Sequence, residues 1–222
     1  MTPENQQAFD TLVRLFALQE PQISLFRRYI EAVEQTNQQI NLVSRKDIHR
    51  LVARHVFESV AIARLAEIPD QGVLLDLGSG AGFPGIIIAI LKPALKVVLL
   101  DSIQKKSRFL KDTTISLGLK NTLVVCDRAE SPQFKQEFRQ RFDVVVARSV
   151  AALPKLWKWS EPLLKKKGLL LAQKGGSIDE EMRELLREAS VITQILPLPT
   201  MTDDPKYIVC VRRSENNYRK VS

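Results

Sequence analysis

Four of the nine glycines lie in one stretch of twelve residues, Leu74 to Gly85, which reads LLDLGSGAGFPG. Glycines at alternate positions let a backbone turn tightly and approach a ligand without interference from Cβ. The last six residues, Gly80 to Gly85, match the G-x-G-x-x-G pattern, in which a dinucleotide pyrophosphate lies at a helix N-terminus. The glycines alone leave two ligands open, a dinucleotide and a nucleoside without phosphates.

Two neighbouring residues favour the ligand without phosphates. Asp76 precedes Gly78 by two residues, and its carboxylate would repel a pyrophosphate but suit a cationic or amino-bearing ligand. Pro84 is suited to the first helical position, so the helix should begin there and leave the earlier glycines in the loop. The motif D-L-G-S-G-A-G therefore resembles the first motif of S-adenosylmethionine-dependent methyltransferases, whose ligand is a sulfonium. The alternative for Asp76 is a turn-stabilising hydrogen bond.

Polar residues also end the next two apolar runs. Asp101 follows Gly82 by 19 residues, near the spacing at which an acid accepts hydrogen bonds from ribose hydroxyls, and Ser102 adjoins it. Ala129 and Glu130 follow the third run, where an adenine edge would lie. The alternatives are a helix N-cap at Asp101 or Ser102 and an ordinary polar loop at the third run.

The residues after the fourth and fifth runs bear on the reaction. Arg148 suits a guanine edge, a phosphate or a ligand carboxylate, or else a structural ion pair. The fourth run is followed neither by the Asn/Asp-Pro-Pro-aromatic motif of amino-group methylation nor by the Pro-Cys pair of pyrimidine-carbon methylation. Guanine N7 has a free lone pair and loses no proton, so its methylation needs positioning but no general base. No catalytic residue is therefore predicted, and Lys174 is placed to contact phosphate.

The elements that must position these residues follow from the alternation of apolar runs with amphipathic stretches. Five strand-then-helix units predict a parallel sheet covered on both faces. Their predicted bounds are Val73–Leu77 and Gly85–Leu91; Lys96–Leu100 and Lys105–Leu117; Leu123–Cys126 and Pro132–Gln140; Asp143–Ala147 and Ala152–Leu164; Leu169–Gln173 and Asp179–Ala189. Two last strands, Val191–Leu198 and Tyr207–Arg212, should form an antiparallel hairpin at one edge. The predicted class is α/β, a doubly wound, mostly parallel, Rossmann-like sheet of seven strands.

Residues 1–70 show helical spacing of apolar side chains and predict an N-terminal helical extension that caps the sheet. Its third helix is predicted over Ile48–Ala66, with Leu65 among its buried residues. Residues 71–213 then form the methyltransferase domain, and residues 214–222 form a basic C-terminal tail.

Composition and charge narrow the setting. No apolar run approaches the roughly 20 residues of a membrane span, and the first residues lack the pattern of a signal peptide. Cys126 and Cys210 are isolated, which predicts reduced thiols, no metal site and a cytoplasmic protein.

The charge is distributed unevenly along the chain. Residues 1–72 carry 8 basic and 9 acidic side chains, and the remaining residues carry 25 and 16, so the positive excess lies beyond residue 72. That excess suits a polyanion, most simply nucleic acid, or serves solubility. Lys165 and Lys166 belong to it and are predicted to contact the substrate.

The whole chain resembles the ribosomal RNA small-subunit methyltransferase G family, also called glucose-inhibited division protein B. The matching stretches are Asn41-Leu42-Val43-Ser44; Arg54-His55-x-x-Glu58-Ser59; Asp76 to Gly85; Leu100-Asp101-Ser102 with Lys105-Lys106 and Arg108-Phe109-Leu110; Arg128-Ala129-Glu130; Ala147-Arg148-Ser149; and Lys174-Gly175. The resemblance implies methyl transfer from S-adenosylmethionine to N7 of a guanine in 16S ribosomal RNA or the small subunit.

The resemblance also implies cofactor contacts at Gly78, Phe83, Ala129, Glu130 and Arg148. Together with the residues chosen from the pattern, the predicted cofactor set is Asp76, Gly78, Gly80, Gly82, Phe83, Asp101, Ser102, Ala129, Glu130 and Arg148. The predicted substrate set is Arg148, Lys174, Lys165 and Lys166.

The sequence departs from the family pattern at two places. Glu58-Ser59 stands where Asp-Ser is frequent, and Ser149-Val150 follows Arg148 where alanine and a larger apolar residue are frequent. The second departure concerns the shape of the guanine pocket and not the type of reaction. His55 is either a packed, hydrogen-bonded residue or a cofactor or RNA contact.

Other interpretations of particular residues stay open. Trp157 and Trp159 are expected to pack in the protein rather than stack on bases. An NAD-dependent oxidoreductase and a non-catalytic RNA-binding protein with a nucleoside as regulatory ligand remain as alternatives.

Overall fold

A computed structural model describes residues 1–214 and shows a single seven-stranded sheet in the order β3-β2-β1-β4-β5-β7-β6. The strands are β1 (Gly72–Leu77), β2 (Leu95–Asp101), β3 (Thr122–Cys126), β4 (Phe142–Arg148), β5 (Leu164–Gly175), β6 (Val191–Leu198) and β7 (Lys206–Arg213). The first five strands pair in parallel, and β7 is antiparallel to both β5 and β6. The predicted fold class is confirmed. Strand β6 lies at the edge of the sheet, and β7 lies between β5 and β6.

Eight α-helices accompany the sheet in the described part of the chain. They are α1 (Pro3–Leu15), α2 (Gln22–Asn37), α3 (Phe57–Leu65), α4 (Gly85–Leu91), α5 (Gln104–Ser116), α6 (Pro132–Glu137), α7 (Leu153–Ser160) and α8 (Asp179–Glu188). No helix within residues 1–214 is both long and apolar enough to span a membrane.

The parallel strands bring their carboxyl ends to one edge of the sheet. Leu77 at the end of β1 is level with Leu100 of β2 and with Ala147 of β4, and Ala147 is level with Ala172 of β5. The strands can be nearly continuous apolar runs because helices cover both faces. Loops that follow β1, β2, β4 and β5 therefore share one surface, as expected for a ligand site in this architecture.

The N-terminal helices pack against one face of the sheet. Phe9 of α1 and Phe26 of α2 are fully buried in the same hydrophobic cluster as Leu74 of β1 and Ile86 of α4. A second cluster covers the other face and includes Trp157 of α7 and Leu185 of α8. The helical extension therefore caps the sheet through a shared core, while the division of the chain at residue 70 stays a prediction. All of the predicted tail except Ser214 lies outside the described residues.

Three predicted helices differ clearly from the observed ones, and the first of them, predicted over Pro132–Gln140, ends at Glu137. The helix predicted to run to Leu164 ends at Ser160, because Pro162 has no N–H with which to continue the helical hydrogen bonds, and Leu164 begins β5 instead. The helix predicted over Ile48–Ala66 is a 3₁₀ turn, a π-helical turn at Val52–Val56 and then α3. The π turn inserts an extra residue and rotates the following face. Leu65 is therefore 53% exposed, and its predicted burial is wrong.

Candidate functional site

The glycine-rich loop leaves β1 at the carboxyl edge of the sheet. Gly78, Gly80 and Gly82 all have positive φ angles, +76°, +58° and +102°, which side chains other than glycine rarely adopt. At Gly85 the constraint is space, since a Cβ atom there would overlap the side chains of Leu99 and Asp76. The helix α4 begins only at Gly85, so the last glycine of the G-x-G-x-x-G match lies in the helix and not in a pyrophosphate loop.

The Asp76 side chain lies under this loop and is hydrogen-bonded to it. Its Oδ2 accepts a hydrogen bond of 3.0 Å from the backbone N–H of Gly85, and the Ser79 hydroxyl donates to the Asp76 carbonyl at 2.9 Å. Burial raises the pKa of Asp76 to about 7, against the opposing effect of these hydrogen bonds. Its Oδ1 is buried without a partner among the described residues. Asp76 therefore takes part in the turn-stabilising hydrogen bonds that were its structural alternative. Its Oδ1 atom is left to accept a further hydrogen bond.

Asp101 ties the end of β2 to the same loop. Its Oδ2 accepts from the N–H of Gly80 and its Oδ1 from the N–H of Ile103, both at 2.8 Å. The carbonyl of Leu100 accepts from the N–H groups of Gly78 and Ser79 at 2.8 and 2.9 Å. The helix α5 begins at Gln104 with Ile103 as its N-cap, so the N-cap alternative for Asp101 and Ser102 is wrong.

A first cavity of about 230 Å³ lies beside this loop, over the ends of β1, β2 and β3. It is lined by Leu77, Gly78, Leu100, Asp101, Ser102, Asp127, Arg128, Ala129, Glu130, Val150 and Trp159. We call it the nucleoside cavity. It brings together five members of the predicted cofactor set. Trp159, which was expected to pack in the protein, also lines this cavity, and Lys155 Nζ lies 4.9 Å from its ring centroid.

Arg148 ends β4 on the other side of the loop, with only 12% of its side chain exposed. Its Nη2 contacts His55 Nδ1 and lies 3.8 Å from Glu58 Oε2. Burial lowers the pKa of Arg148, and the Glu58 carboxylate opposes that effect. The structural ion pair foreseen as an alternative is therefore formed, while Nη1 is buried without a partner among residues 1–214.

Phe83, His55 and Tyr29 join the N-terminal extension to the glycine loop. The His55 ring is stacked on Phe83 with centroids 5.4 Å apart, and Tyr29 packs against Phe83 at 5.3 Å. The Tyr29 hydroxyl donates a 2.8 Å hydrogen bond to the carbonyl of Ala81. Burial, and next the Arg148 guanidinium, lower the pKa of His55 to about 3, so its imidazole is neutral. His55 is therefore the packed, hydrogen-bonded residue of the first alternative, and its contact with the cofactor or RNA stays a prediction.

Glu58 and Gln173 complete the cluster around Arg148. Gln173 Nε2 donates to Glu58 Oε2 at 2.6 Å, and both residues are almost fully buried. Neither was in the predicted site, although Glu58 belongs to the R-H-x-x-E-S stretch and Gln173 precedes Lys174. Lys174 Nζ pairs with Glu181 at 2.6 Å and donates to the carbonyl of Ala151 at 2.7 Å.

A second cavity of about 180 Å³ lies over the ends of β4 and β5. Its lining comprises Asp47, Arg54, His55, Glu58, Arg148, Ser149, Gln173, Lys174, Gly175 and Lys206. We call it the polar cavity. Ser149 lines the polar cavity and Val150, the next residue, lines the nucleoside cavity, so the two cavities adjoin at the end of β4. Ser149 has a φ of +53°, an uncommon conformation that turns the chain between them.

Lys165 and Lys166 lie elsewhere, in the first part of β5. Lys165 Nζ is 2.8 Å from Asp143 Oδ2, which also accepts from the N–H of Val73 at the start of β1. These lysines are at the amino edge of the sheet because β5 begins five residues earlier than predicted. The structure does not bring them to the cavities, and their contact with substrate stays a prediction. Among residues 1–214, no group of three His, Cys, Asp or Glu side chains could hold a metal ion.

The sheet order and the glycine loop define a class I S-adenosylmethionine-dependent methyltransferase fold. The precorrin-6y C5,15-methyltransferase of Geobacter metallireducens superposes with a TM-score of 0.57 at 16% identity, over 78% of this chain and 91% of that chain. TYW2 of M. jannaschii, solved in complex with AdoMet, has a TM-score of 0.58 at 14% identity, with 80% of each chain covered. The [4+2]-cyclase SpnF reaches 0.59 at 15% identity, over 77% and 84%. Such low identities establish the fold alone.

Sequence relatives identify the family. The profile of the family described as rRNA small subunit methyltransferase G matches residues 22–202. The ribosomal RNA small subunit methyltransferase G of Desulforamulus reducens is 36% identical over 200 residues, 87% of this chain and 83% of that protein. The protein of the same name from Halalkalibacterium halodurans is 30% identical over 93% of this chain and 89% of its own. The chain belongs to the rRNA small subunit methyltransferase G family, which confirms the resemblance and leaves the oxidoreductase alternative without support.

Proposed function

We propose that this protein transfers the methyl group of S-adenosylmethionine to N7 of a guanine in 16S ribosomal RNA, in a bacterial-type cytoplasm. The observation that carries the proposal is the adjacency of the two cavities at Ser149 and Val150. One cavity is lined by the residues suited to a nucleoside, and the other holds an arginine, a carboxylate and an amide. A methyl donor and a base held in these cavities would meet at the end of β4, where only positioning is needed.

The residues of the nucleoside cavity fit S-adenosylmethionine. Each Asp101 oxygen accepts one backbone N–H and keeps a further lone pair for a ribose hydroxyl. Ala129 and Glu130 line the cavity and are the proposed contacts of the adenine edge. Asp76 lines neither cavity, and its unpartnered Oδ1 beneath the loop is the proposed acceptor for the methionine end. When bound, the cofactor supplies a methyl group on a sulfonium.

The transfer requires no proton removal by the protein. The N7 lone pair forms the new bond to the methyl carbon while the carbon–sulfur bond breaks, and no proton is removed from the base. No general base is therefore required, which agrees with a neutral His55 of low pKa beside Phe83. The contribution of the protein is to orient the base and exclude water.

RNA contact is supported by the cations around the polar cavity, Arg54, Lys174 and Lys206. Residues 73–222 carry 25 basic against 16 acidic side chains, an excess that favours a phosphate backbone. Arg148 and Lys174 are the proposed substrate contacts from this edge.

The proposal is tested by transfer of labelled methyl from S-adenosylmethionine to 16S RNA and to small subunits from a strain lacking the enzyme, followed by mapping of N7-methylguanine. We expect one labelled guanine with the wild type and none with Gly80→Asp, which places a carboxylate in the loop. Gly118→Asp is the matched control, since Gly118 also has a positive φ (+69°) and open space around it, but precedes the start of β3, at the edge of the sheet opposite the cavities. RNA that binds the protein but stays unlabelled would favour the non-catalytic alternative.

A further inference from the structure

Four side chains that line the polar cavity have hydrogen-bonding groups unsatisfied by residues 1–214, which the family assignment does not explain. Each carries a buried polar atom without a partner in the described part of the chain: His55 Nε2, Glu58 Oε1, Arg148 Nη1 and Gln173 Oε1. A buried polar atom that lacks a hydrogen bond is costly, so native structures leave few of them. Four such atoms in one contiguous cluster indicate that a ligand supplies their partners.

The chemistry of the four atoms follows from the contacts that their side chains already make. Glu58 Oε1 is an acceptor. Gln173 is oriented by its Nε2–H bond to the Glu58 carboxylate, which leaves its Oε1 as a second acceptor. Arg148 Nη1 is a donor. His55 is neutral and its Nδ1 faces the Arg148 guanidinium, so the proton is on Nε2, which is a second donor.

Two acceptors next to donors complement one edge of guanine. The Watson–Crick edge of guanine presents O6 as an acceptor and N1–H and N2–H₂ as donors, whereas adenine presents the reverse at the first two positions. N7 belongs to the adjacent Hoogsteen edge, so a base held by its Watson–Crick edge leaves N7 uncovered. Single-stranded RNA bases are commonly recognised through hydrogen bonds on this edge.

We propose that the polar cavity reads the Watson–Crick edge of the target guanine, with Glu58 as the residue that determines base specificity. Glu58 Oε1 accepts from N1–H, Gln173 Oε1 accepts from N2–H₂, and Arg148 Nη1 donates to O6. This inference rests on the proposed function and deepens it. The amino-acid end of the cofactor is the competing occupant of the same groups. The location at the ends of β4 and β5, with Lys206 of β7, favours the base, because the nucleoside cavity lies over β1 to β3.

The test measures binding of mononucleotides to the full chain saturated with S-adenosylhomocysteine, by calorimetry. Guanosine monophosphate should bind about tenfold or more tightly than inosine monophosphate, which lacks the 2-amino group, and more tightly still than adenosine monophosphate. Glu58→Gln places an N–H donor against N1–H and should abolish the preference for guanine over adenine. Gln173→Met should abolish only the preference of guanosine over inosine monophosphate.

Glu67→Gln is the matched control, because this carboxylate is 60% exposed and pairs with Arg212. It should keep the wild-type order of affinities. S-adenosylhomocysteine affinity should stay within about twofold in Glu58→Gln; a large loss there with unchanged base preference would assign the cluster to the cofactor and overturn the inference. A wild type that binds adenosine and guanosine monophosphate equally would overturn it too. Labelled methyl transfer to 16S RNA by the same wild-type preparation separates the two failures, because transfer without base preference refutes only the role of Glu58.

Discussion

At the scale of single residues, two opposing effects determine the charge of the Asp76 carboxyl group. Its burial favours the neutral acid and raises its pKa to about 7, while the Gly85 N–H favours the carboxylate. The loop needs an acceptor beneath it, and a sulfonium ligand benefits from a negative charge nearby. The free protein thus carries a group whose charge changes near neutral pH and depends on what occupies the loop.

The raised pKa has a defined effect on stability. The folded protein keeps a proton on Asp76 that the unfolded chain releases above its ordinary pKa of 3.8. This contribution is present below that pH and is lost as the pH rises through about 7, so the stability that Asp76 contributes falls over this interval. The lowered pKa of His55 acts in the opposite sense, so the Asp76 contribution is measured as the difference between the wild type and a variant that lacks this carboxyl. Between pH 5 and pH 7.5 the loss from Asp76 is about 2.5 kcal/mol. We expect Asp76→Asn to lack this loss when the free energy of unfolding is measured in urea across that range.

Asp112→Asn provides the comparison for this measurement. Asp112 is 70% exposed on α5 and should keep the pH dependence of the wild type. If Asp76→Asn also keeps it, Asp76 is already charged in the folded protein.

The site residues differ in how far the sequence predicts them. Asp76 and Asp101 could be predicted because each ends an apolar run, and the ends of parallel strands meet at one edge of the sheet. Glu58 comes from the helical extension, whose distance from the loop no local pattern encodes. Gln173 was read as part of a strand, and Trp159 as a packing residue of α7, because helical spacing alone does not tell which face adjoins a cavity.

At the scale of elements, the sheet and its hairpin were predictable from the alternation of strands and helices, but the ends of several elements were not. Leu164 lies in an apolar and basic stretch that suits a helix as well as a strand, and pairing with Phe142 of β4 decides it. The π turn at Val52–Val56 is set by tertiary packing, since its apolar residues also fit an uninterrupted helix.

Gly85 and Gly80 are required for different reasons, the first for lack of space and the second for its positive φ angle. Their substitution should therefore lower the free energy of unfolding by different amounts. Gly85→Ala forces a Cβ atom against Leu99 and Asp76 in the core, and should lower the free energy of unfolding by about 2–3 kcal/mol or more. Gly80→Ala meets only the backbone oxygen of Gly78 at 3.9 Å, so its cost is the positive φ, about 1–2 kcal/mol. Urea unfolding of both variants measures the difference, and equal costs would show that the packing around Gly85 relaxes.

The hydrogen bond from Tyr29 to Ala81 links α2 to the same loop. Burial raises the pKa of the Tyr29 hydroxyl well above 10, so it donates throughout the accessible pH range. Tyr29→Phe keeps the ring contact with Phe83 but leaves a buried carbonyl without its donor. We expect a loss of about 1–2 kcal/mol in the free energy of unfolding and weaker binding of S-adenosylhomocysteine, measured by calorimetry. Unchanged cofactor affinity with reduced stability would confine the role of α2 to packing.

At the scale of the whole molecule, two pairs of lysines lie at opposite edges of the sheet. Lys174 and Lys206 line the polar cavity at the carboxyl edge, and Lys165 and Lys166 are in the first part of β5 at the amino edge. Net charge alone does not tell which edge meets RNA, which is why the sequence grouped Lys165 and Lys166 with the site. If the cavities hold the cofactor and the base as proposed, the carboxyl edge is the surface that the target strand must reach.

Removing equal charge from each edge separates these surfaces. Phosphate contacts release counterions, so each one lost should reduce the slope of log K against log salt by about 0.7–0.9. We expect Lys174→Gln/Lys206→Gln to lower the slope for 16S RNA binding by one to two such contacts, roughly 0.7–1.8. Lys165→Gln/Lys166→Gln, which removes the same charge, should leave the slope near that of the wild type. Filter binding at several salt concentrations measures both variants. A fall in slope with the second pair alone would move the RNA surface to the amino edge, and equal falls would mean that the RNA contacts both edges, as an RNA wrapping around the sheet would require.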